Sequence, residues 1–504
     1  MVFLLILFAF CQKSAKCEKP PDIVIIIADD IGYSDFGCYG GEIPTPNIDK
    51  IAERGILFTN YYTENMCAPT RAALLTGRYH IRGYNKEGNI TISEGLSTAG
   101  YISYAVGKWH NAGEKIMDRR APLKRGFNHF FGTPQGTSNY YAPITLTRDG
   151  EPAEEEWQDE DFYYTDAITD NAVEYIKNTP ENTPLFLYTA YNAAHWPLHA
   201  RQEDVRKHEG RYFMGWDELR KQRLRKMKKL GIVPDDMPLS PRDSLVPAWE
   251  DEEHKAWQER RMEVYAAQIE VMDRGIGRIV TELKKTGRIN NTLLLVLVDN
   301  GGCHVEYDKE RRGPFLSEYT RKGEPVKIGN IPGVMPGPED TWQSYGRGWA
   351  NASNTPFRLF KRHDHEGGIR VPLIVQWPDV IKNGGQITGQ VAHVIDILPT
   401  VLETASVAYP SSYKNRNVDS PDGISLLPII YGKKRNPHNV LYWQYSRGAA
   451  ILKGNWKLVR IINNPWELYD LSKDPVEMNN LADQYPERVE ELSILWKKWK
   501  EQGE

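Results

Sequence analysis

The 504-residue chain predicts an α/β fold. It is expected to hold a large, mostly parallel sheet flanked by helices on both faces, and then a small antiparallel sheet with one helix at the C-terminus. Three observations carry this expectation. Short apolar, β-branched runs alternate with helical stretches from residue 18 to about 430, the pattern of parallel strands joined by helical crossovers. The runs are continuously apolar, so they read as strands buried on both faces. From Val440 onward, closely spaced strand-like runs precede a segment of helical periodicity.

The elements follow in order. Met1 to Cys11 is apolar but too short for a membrane span, and its length suits the core of a signal peptide. Residues 1–17 are therefore assigned to a signal peptide and the protein to an exported location, periplasmic or secreted. No other segment has the length and apolarity of a span, so stable membrane insertion is not expected. Asp22 to Ala28 reads as a buried strand that ends abruptly in Asp29-Asp30, and paired carboxylates there suggest a metal site. Similar runs end in polar groups elsewhere: Tyr101 to Val106 before Lys108 and His110, Leu185 to Tyr188 before His195, and Leu293 to Val298 before Asp299-Asn300. In open α/β sheets the carboxyl edge of the strands forms the ligand crevice, so these distant residues can meet around one site. Lys361 to Arg370 leads into a further run, Val371 to Val375.

Cys67-Ala68-Pro69-Thr70-Arg71 is the most informative stretch. Pro69 suits a first helical position and the Ala/Leu run after it favours helix. Cys67 is thereby placed at a helix N-terminus, where free N–H groups, the helix dipole and Arg71 about one turn on form a pocket for a tetrahedral anion. Cys67-x-Pro69-x-Arg71 followed by Ala72-x-Leu74-x-Thr76-Gly77-Arg78 resembles the signature of the type I sulfatases of the alkaline phosphatase superfamily. Lys361-x-x-x-x-Glu366-Gly367-Gly368-Ile369-Arg370 is similar to a second sulfatase segment, and Asn354-Thr355-Pro356-Phe357-Arg358 is similar to bacterial arylsulfatases in particular.

The resemblance implies an alkaline-phosphatase-like fold and a sulfuric ester hydrolase acting on aryl or carbohydrate sulfate monoesters. It implies that a formylglycine-generating enzyme or anaerobic maturase converts Cys67 to formylglycine. Asp29, Asp30, Asp299 and Asn300, with modified Cys67, would then bind the metal; hard oxygen ligands select calcium, or less favourably magnesium, over zinc. Arg71, Lys108, His110, His195 and Lys361 would hold the sulfate and handle protons. One hydroxyl of the aldehyde hydrate, deprotonated with help from Asp299, would attack sulfur and form a covalent sulfo-enzyme. His195, favoured over Lys361, would protonate the leaving alcohol. The second hydroxyl, losing its proton to His110, would expel sulfate. A phosphonate or phosphate monoester hydrolase of the same superfamily and a non-catalytic binder of sulfated glycans are the alternatives.

The remaining segments set the organisation. The catalytic domain is placed at 18–432 and a C-terminal subdomain at 433–504. A highly charged insertion at 201–261 reads as a solvated helix face rather than a basic groove for a sulfated polymer. Gly313 to Thr355, rich in Gly and Pro, reads as a long loop shaping the substrate pocket; Trp342, Tyr345 and Trp349 either stack on substrate or pack the loop. Leu468-Tyr469-Asp470-Leu471 with Asp474-Pro475-x-Glu477 matches the sulfatase C-terminal pattern. A net charge of -4 argues against a nucleic-acid partner. The five cysteines leave only Cys38 and Cys303 outside the leader and the site, and their pairing stays open.

Overall fold

The computed structural model describes residues 19–82, 88–111, 117–310, 313 and 315–503. The signal-peptide assignment falls outside them. Ten strands form the main sheet: β1 (Asp22–Ala28), β2 (Ile56–Phe58), β3 (Ile102–Lys108), β4 (His129–Thr133), β5 (Thr147–Arg148), β6 (Glu151–Pro152), β7 (Leu185–Ala190), β8 (Thr292–Val298), β9 (Leu373–Gln376) and β10 (Gln386–Thr388). Their spatial order is β10-β2-β9-β8-β1-β7-β3-β4-β5-β6. The five consecutive strands from β8 to β4 are parallel, whereas β9 runs antiparallel to both neighbours and β5 and β6 close one edge antiparallel. The sheet is thus mixed at its margins and parallel where the site lies. Every residue of β1 and β8 is buried, which is why both read as unbroken apolar runs.

Strand register sets the site. Ala28 pairs with Val298, Ile27 with Ala190, and Gly107 with Ala190, so the polar residues beyond β1, β8, β7 and β3 emerge along one edge. Leu373, at the start of antiparallel β9, pairs with Leu297 near the end of β8. The segment before β9, which carries Lys361, therefore arrives at that same edge.

Two helical groups flank the sheet. Helices α1 (Pro46–Glu53) and α3 (Tyr164–Asn178) pack on the long α5 (Lys255–Lys285), while α2 (Cys67–Thr76) packs on α7 (Ile397–Thr404). The charged insertion contains α4 (Gly215–Leu230), and it is only partly the solvated face expected of it. Lys221 and Arg225 are exposed, but Arg220, Arg223 and Arg261 are buried. Arg223 pairs with Glu42 at 2.7 and 2.9 Å and with Asp35 at 2.6 Å. The other oxygen of Asp35 accepts from Gly32 N and from the Tyr265 hydroxyl, each at 2.8 Å. A residue of the insertion thereby braces the turn that follows Asp30.

The expected loop at 313–355 contains a helix, α6 (Gly346–Ser353). Its three aromatic residues are buried; Trp349 packs on Trp216 at 5.4 Å and Trp249 at 5.7 Å. They pack the loop and are closed to substrate. At the C-terminus β11 (Leu441–Tyr445), β12 (Gly448–Lys453), β13 (Trp456–Ile461) and β14 (Glu467–Asp470) form an antiparallel sheet under α8 (Pro486–Gly503). Trp499 stacks on Tyr442 with centroids 4.8 Å apart.

This subdomain is joined to the main sheet by buried charge. Lys457 of β13 lies 2.7 Å from Glu366 and 2.8 Å from Glu477, all three being buried. Glu477 also accepts from the Glu366 N–H at 2.8 Å, and Arg370 reaches Glu366 at 3.3 Å. The two sequence motifs that contain these glutamates thus share one cation. Cys38 and Cys303 are free thiols. No described helix is long and apolar enough to cross a membrane.

Candidate active site

Helix α2 begins at Cys67 itself, two residues earlier than Pro69 predicts, with Met66 extended as its N-cap. Thr70 donates to the Asp299 carbonyl at 2.7 Å and so ties the first turn to the end of β8. Cys67 Sγ lies 3.3 Å from His110 Nδ1 and 3.8 Å from Lys361 Nζ. The thiol is buried at an N-terminus that no side chain caps.

Backbone hydrogen bonds continue past the strand ends and hold the polar loops together. Asp29 N donates to Ala193 O at 2.9 Å, Asp299 N to Ala28 O at 3.1 Å, Gly301 N to Gly368 O at 3.0 Å and Lys361 N to Gly302 O at 3.2 Å. Asp30 adopts a left-handed conformation (φ 59°), which Asp tolerates better than most residues. Its N–H donates to Asp299 Oδ1 at 3.2 Å, and its Oδ1 accepts from Asn300 Nδ2 at 2.7 Å. Asp29, Asp30, Asp299 and Asn300 are all buried.

Each carboxylate meets a cation: Asp29 with Lys108 at 2.5 Å, Asp30 with Lys361 at 2.6 and 2.8 Å, and Asp299 with Arg71 at 2.8 and 3.2 Å. Arg71 also donates to Lys108 O at 3.0 Å. Yet Asp29 Oδ1 and Asn300 Oδ1 are buried without hydrogen-bond partners. Ligand atoms of Asp29, Cys67 and Asp299 lie within 4.8 Å of one another, as do those of Asp29, Asp30 and His195. A buried set of oxygen donors with two left unpaired fits a hard divalent cation.

Electrostatics point the same way. Burial pushes the Asp29 carboxyl well above the usual range, and Asp299 and Asp30 add to this against the opposing pull of Lys108 and Arg71. Burial also acts to raise Asp30, but Lys361, His195 and Lys108 outweigh it and hold that carboxyl low. Lys361 is driven well above its ordinary value because Asp30 and Cys67 overcome its desolvation. His110 and His195 are both pushed well below theirs, chiefly by burial; Lys108, Arg71 and Lys361 contribute at His110, while at His195 the pull of Asp30 falls short. Burial thus biases both imidazoles towards the neutral form. His195 Nδ1 donates to the Trp196 carbonyl at 2.7 Å, which leaves Nε2 as its free nitrogen, 3.4 Å from Asp30 Oδ2.

A cavity of about 160 Å³ opens on this constellation. Of the residues singled out from sequence, Cys67, His110, His195 and Lys361 line it. Asp29, Asp30, Asp299 and Asn300 gather behind them. Arg71 and Lys108 lie deeper, turned onto Asp299 and Asp29. The lining also includes Gln135, Thr137 and Trp196, which sequence reasoning missed. The available signal was Phe130-Phe131-Gly132-Thr133, an apolar run ending in Pro134-Gln135-Gly136 at the same sheet edge.

Comparison with known proteins agrees with this geometry. The profile described as Sulfatase matches residues 21–407, and that described as N-sulphoglucosamine sulphohydrolase, C-terminal, matches 357–502. The chain is 33% identical to an uncharacterized sulfatase of Schizosaccharomyces pombe, covering 96% of this chain and 94% of the relative. It is 34% identical to an arylsulfatase of Klebsiella aerogenes, covering 84% and 94%. The crystal structure of Ps i-CgsB in complex with k-i-k-neocarrahexaose superposes with a TM-score of 0.67 at 25% identity, covering 96% and 94%. The large mixed sheet with its small antiparallel companion is the alkaline-phosphatase-like fold of such enzymes, and the chain belongs to the sulfatase family.

Proposed function

We propose that the enzyme hydrolyses sulfate monoesters of carbohydrate or aryl alcohols with formylglycine made from Cys67 and with calcium held by Asp29, Asp30, Asp299 and Asn300. The observation that carries this reading is the position of Cys67, at a helix N-terminus, 3.3 Å from His110, 3.8 Å from Lys361 and within ligand reach of Asp29 and Asp299. A serine or unmodified cysteine there would be left as a stable ester, whereas an aldehyde hydrate has a second hydroxyl with which to release sulfate. A hard divalent ion at the oxygen cluster would stabilise charge on the sulfate oxygens and acidify a bound hydroxyl.

The chain's own residues divide the rest of the work. Lys361, held protonated, meets the negative sulfate at the cavity wall. His110 Nδ1 faces position 67 and is suited to take the proton of the second hydroxyl. His195 is fixed through Nδ1, so its Nε2, once protonated in the imidazolium form that Asp30 favours, is the atom that passes a proton to the leaving oxygen as the S–O bond breaks. Arg71 and Lys108 orient the acids Asp299 and Asp29. The carboxyl behaviour of Asp29 supports the ion, since crowded buried acids are relieved by a cation. Export rests on the leader-like residues 1–17, and conversion of Cys67 calls for a formylglycine-generating enzyme or maturase as partner.

The test is turnover by aldehyde-bearing enzyme on a panel of sulfated mono- and oligosaccharides, an aryl sulfate and an aryl phosphate. Sulfate esters should be preferred over the phosphate. Faster phosphate turnover would assign the chain to phosphate or phosphonate ester hydrolysis, and binding without turnover would make it a glycan binder.

A further inference from the structure

Gln135 lines the reaction cavity, and its side-chain amide holds no other group of the described residues. It follows β4 in the segment Thr133-Pro134-Gln135-Gly136-Thr137 and is 1% exposed. Its amide Oε1 and Nε2 are both buried without a hydrogen-bond partner. The backbone around it is well held: Trp109 N donates to Thr133 O at 2.9 Å and His110 N to Pro134 O at 3.1 Å. The same bonds that seat His110 therefore seat Gln135. The next residue, Gly136, is pressed so close to the His110 ring that a Cβ there would come within 2.4 Å of it. Gln135 thus stands one residue from the ring that touches position 67, and it lines the cavity with Cys67, His110, His195 and Lys361.

A buried primary amide with neither end paired is costly, and what can pair it is limited by chemistry. Sulfate offers only acceptors, so it could satisfy the Nε2 donors and never Oε1. A hydroxyl supplies both a donor and an acceptor. Resting on the sulfatase reading above, we propose that Gln135 is a specificity residue that binds a hydroxyl or acylamino N–H next to the sulfate ester. The physiological alcohol is then a polyhydroxylated carbohydrate rather than a simple phenol. An aryl sulfate brings no donor of its own for Oε1.

The test compares a monosaccharide sulfate carrying a free neighbouring hydroxyl with its deoxy counterpart. Dissociation constants are measured on the Cys67→Ala protein, and kcat/KM on aldehyde-bearing enzyme, each with and without Gln135→Leu. With Gln135 present, the hydroxylated ester should be favoured about tenfold to a hundredfold. In Gln135→Leu that ratio should fall towards one, and Gln135→Glu, which keeps an acceptor, should restore part of it. The inference is overturned if the ratio is near one with Gln135 present, if it survives Gln135→Leu, or if both esters weaken equally so that the ratio is unmoved. Binding to the Cys67→Ala protein reads the ratio even without turnover. Loss of sulfatase activity would sink the functional reading, and loss of the hydroxyl ratio only this one.

Discussion

Replacing Lys457 with Met tests how the C-terminal sheet is attached. The substitution keeps the length of the side chain but removes a buried cation 2.7 Å from Glu366 and 2.8 Å from Glu477. At an effective dielectric of about 20, each contact carries about 6 kcal/mol of Coulomb attraction. Part of that is spent desolvating the ammonium, and breaking one side of a comparable buried pair costs about 3–5 kcal/mol. Arg370 remains near Glu366 at 3.3 Å, while Glu477 is left with the Glu366 N–H. The sign of the pH effect follows from Glu366. Burial acts to raise its carboxyl, but Lys457 and Arg370 outweigh this and hold it low. A depressed folded pKa contributes stability above the unfolded value of about 4.3 that is lost as pH falls through the folded value. In Lys457→Met Glu366 loses the stronger of its two cationic partners and is less stable ionised than in wild type, so the gap from wild type should narrow as pH falls from 7 towards 4. Urea unfolding followed by tryptophan fluorescence reads both effects. A loss below about 1 kcal/mol at pH 7, or a gap that does not change with pH, would refute the reasoning.

Other outcomes follow from the site. His195→Asn should lower kcat by about 10²- to 10⁴-fold on alkyl sulfates and by much less on aryl sulfates with acidic phenols; if Lys361→Met alone shows that dependence on the leaving group, the lysine is the donor. Chelation of divalent cations should lower both activity and melting temperature, with calcium restoring them more fully than magnesium; recovery with zinc alone would contradict the oxygen ligand set. Burial depresses His199, His363 and His393 to about 4 and His304 to about 3. Their folded forms bind fewer protons than unfolded histidine of pKa about 6.5, so stability should decline as pH falls below that value. For His199 alone the effect can reach about 3 kcal/mol, and a denaturation midpoint flat between pH 6.5 and 4.5 would contradict it.

The parts of the fold that were legible in the sequence are those where a single local signal decides. Asp29, Asp30, Asp299 and Asn300 follow strands buried on both faces, so an unbroken apolar run ending in polar residues marked their place at the sheet edge. Lys361 was legible as part of a motif, although the antiparallel course of β9 that brings it to the site is set by pairing with β2 and β8. The inward turn of Arg223 could not be read from a run of charges, because the repeat of α4 places Lys221 and Arg225 in water and Arg223 against Glu42 and Asp35. Trp349 was ambiguous for the same reason: its partners Trp216 and Trp249 lie in the distant insertion. Arg71 and Lys108 were legible as cations of the candidate site, but which atoms they hold depends on carboxylates at the ends of two strands, β1 and β8. Gln135 carries no charge and no motif, and only its unpaired burial marks it.

Mass spectrometry of the Cys67 peptide tests the central claim most directly, on protein from its native host or made with a maturase. The claim requires a peptide in which sulfur has been replaced by oxygen with loss of two hydrogens, trapped by carbonyl reagents, its abundance tracking sulfatase activity across preparations. Full activity in protein whose Cys67 is entirely an unmodified thiol would contradict it.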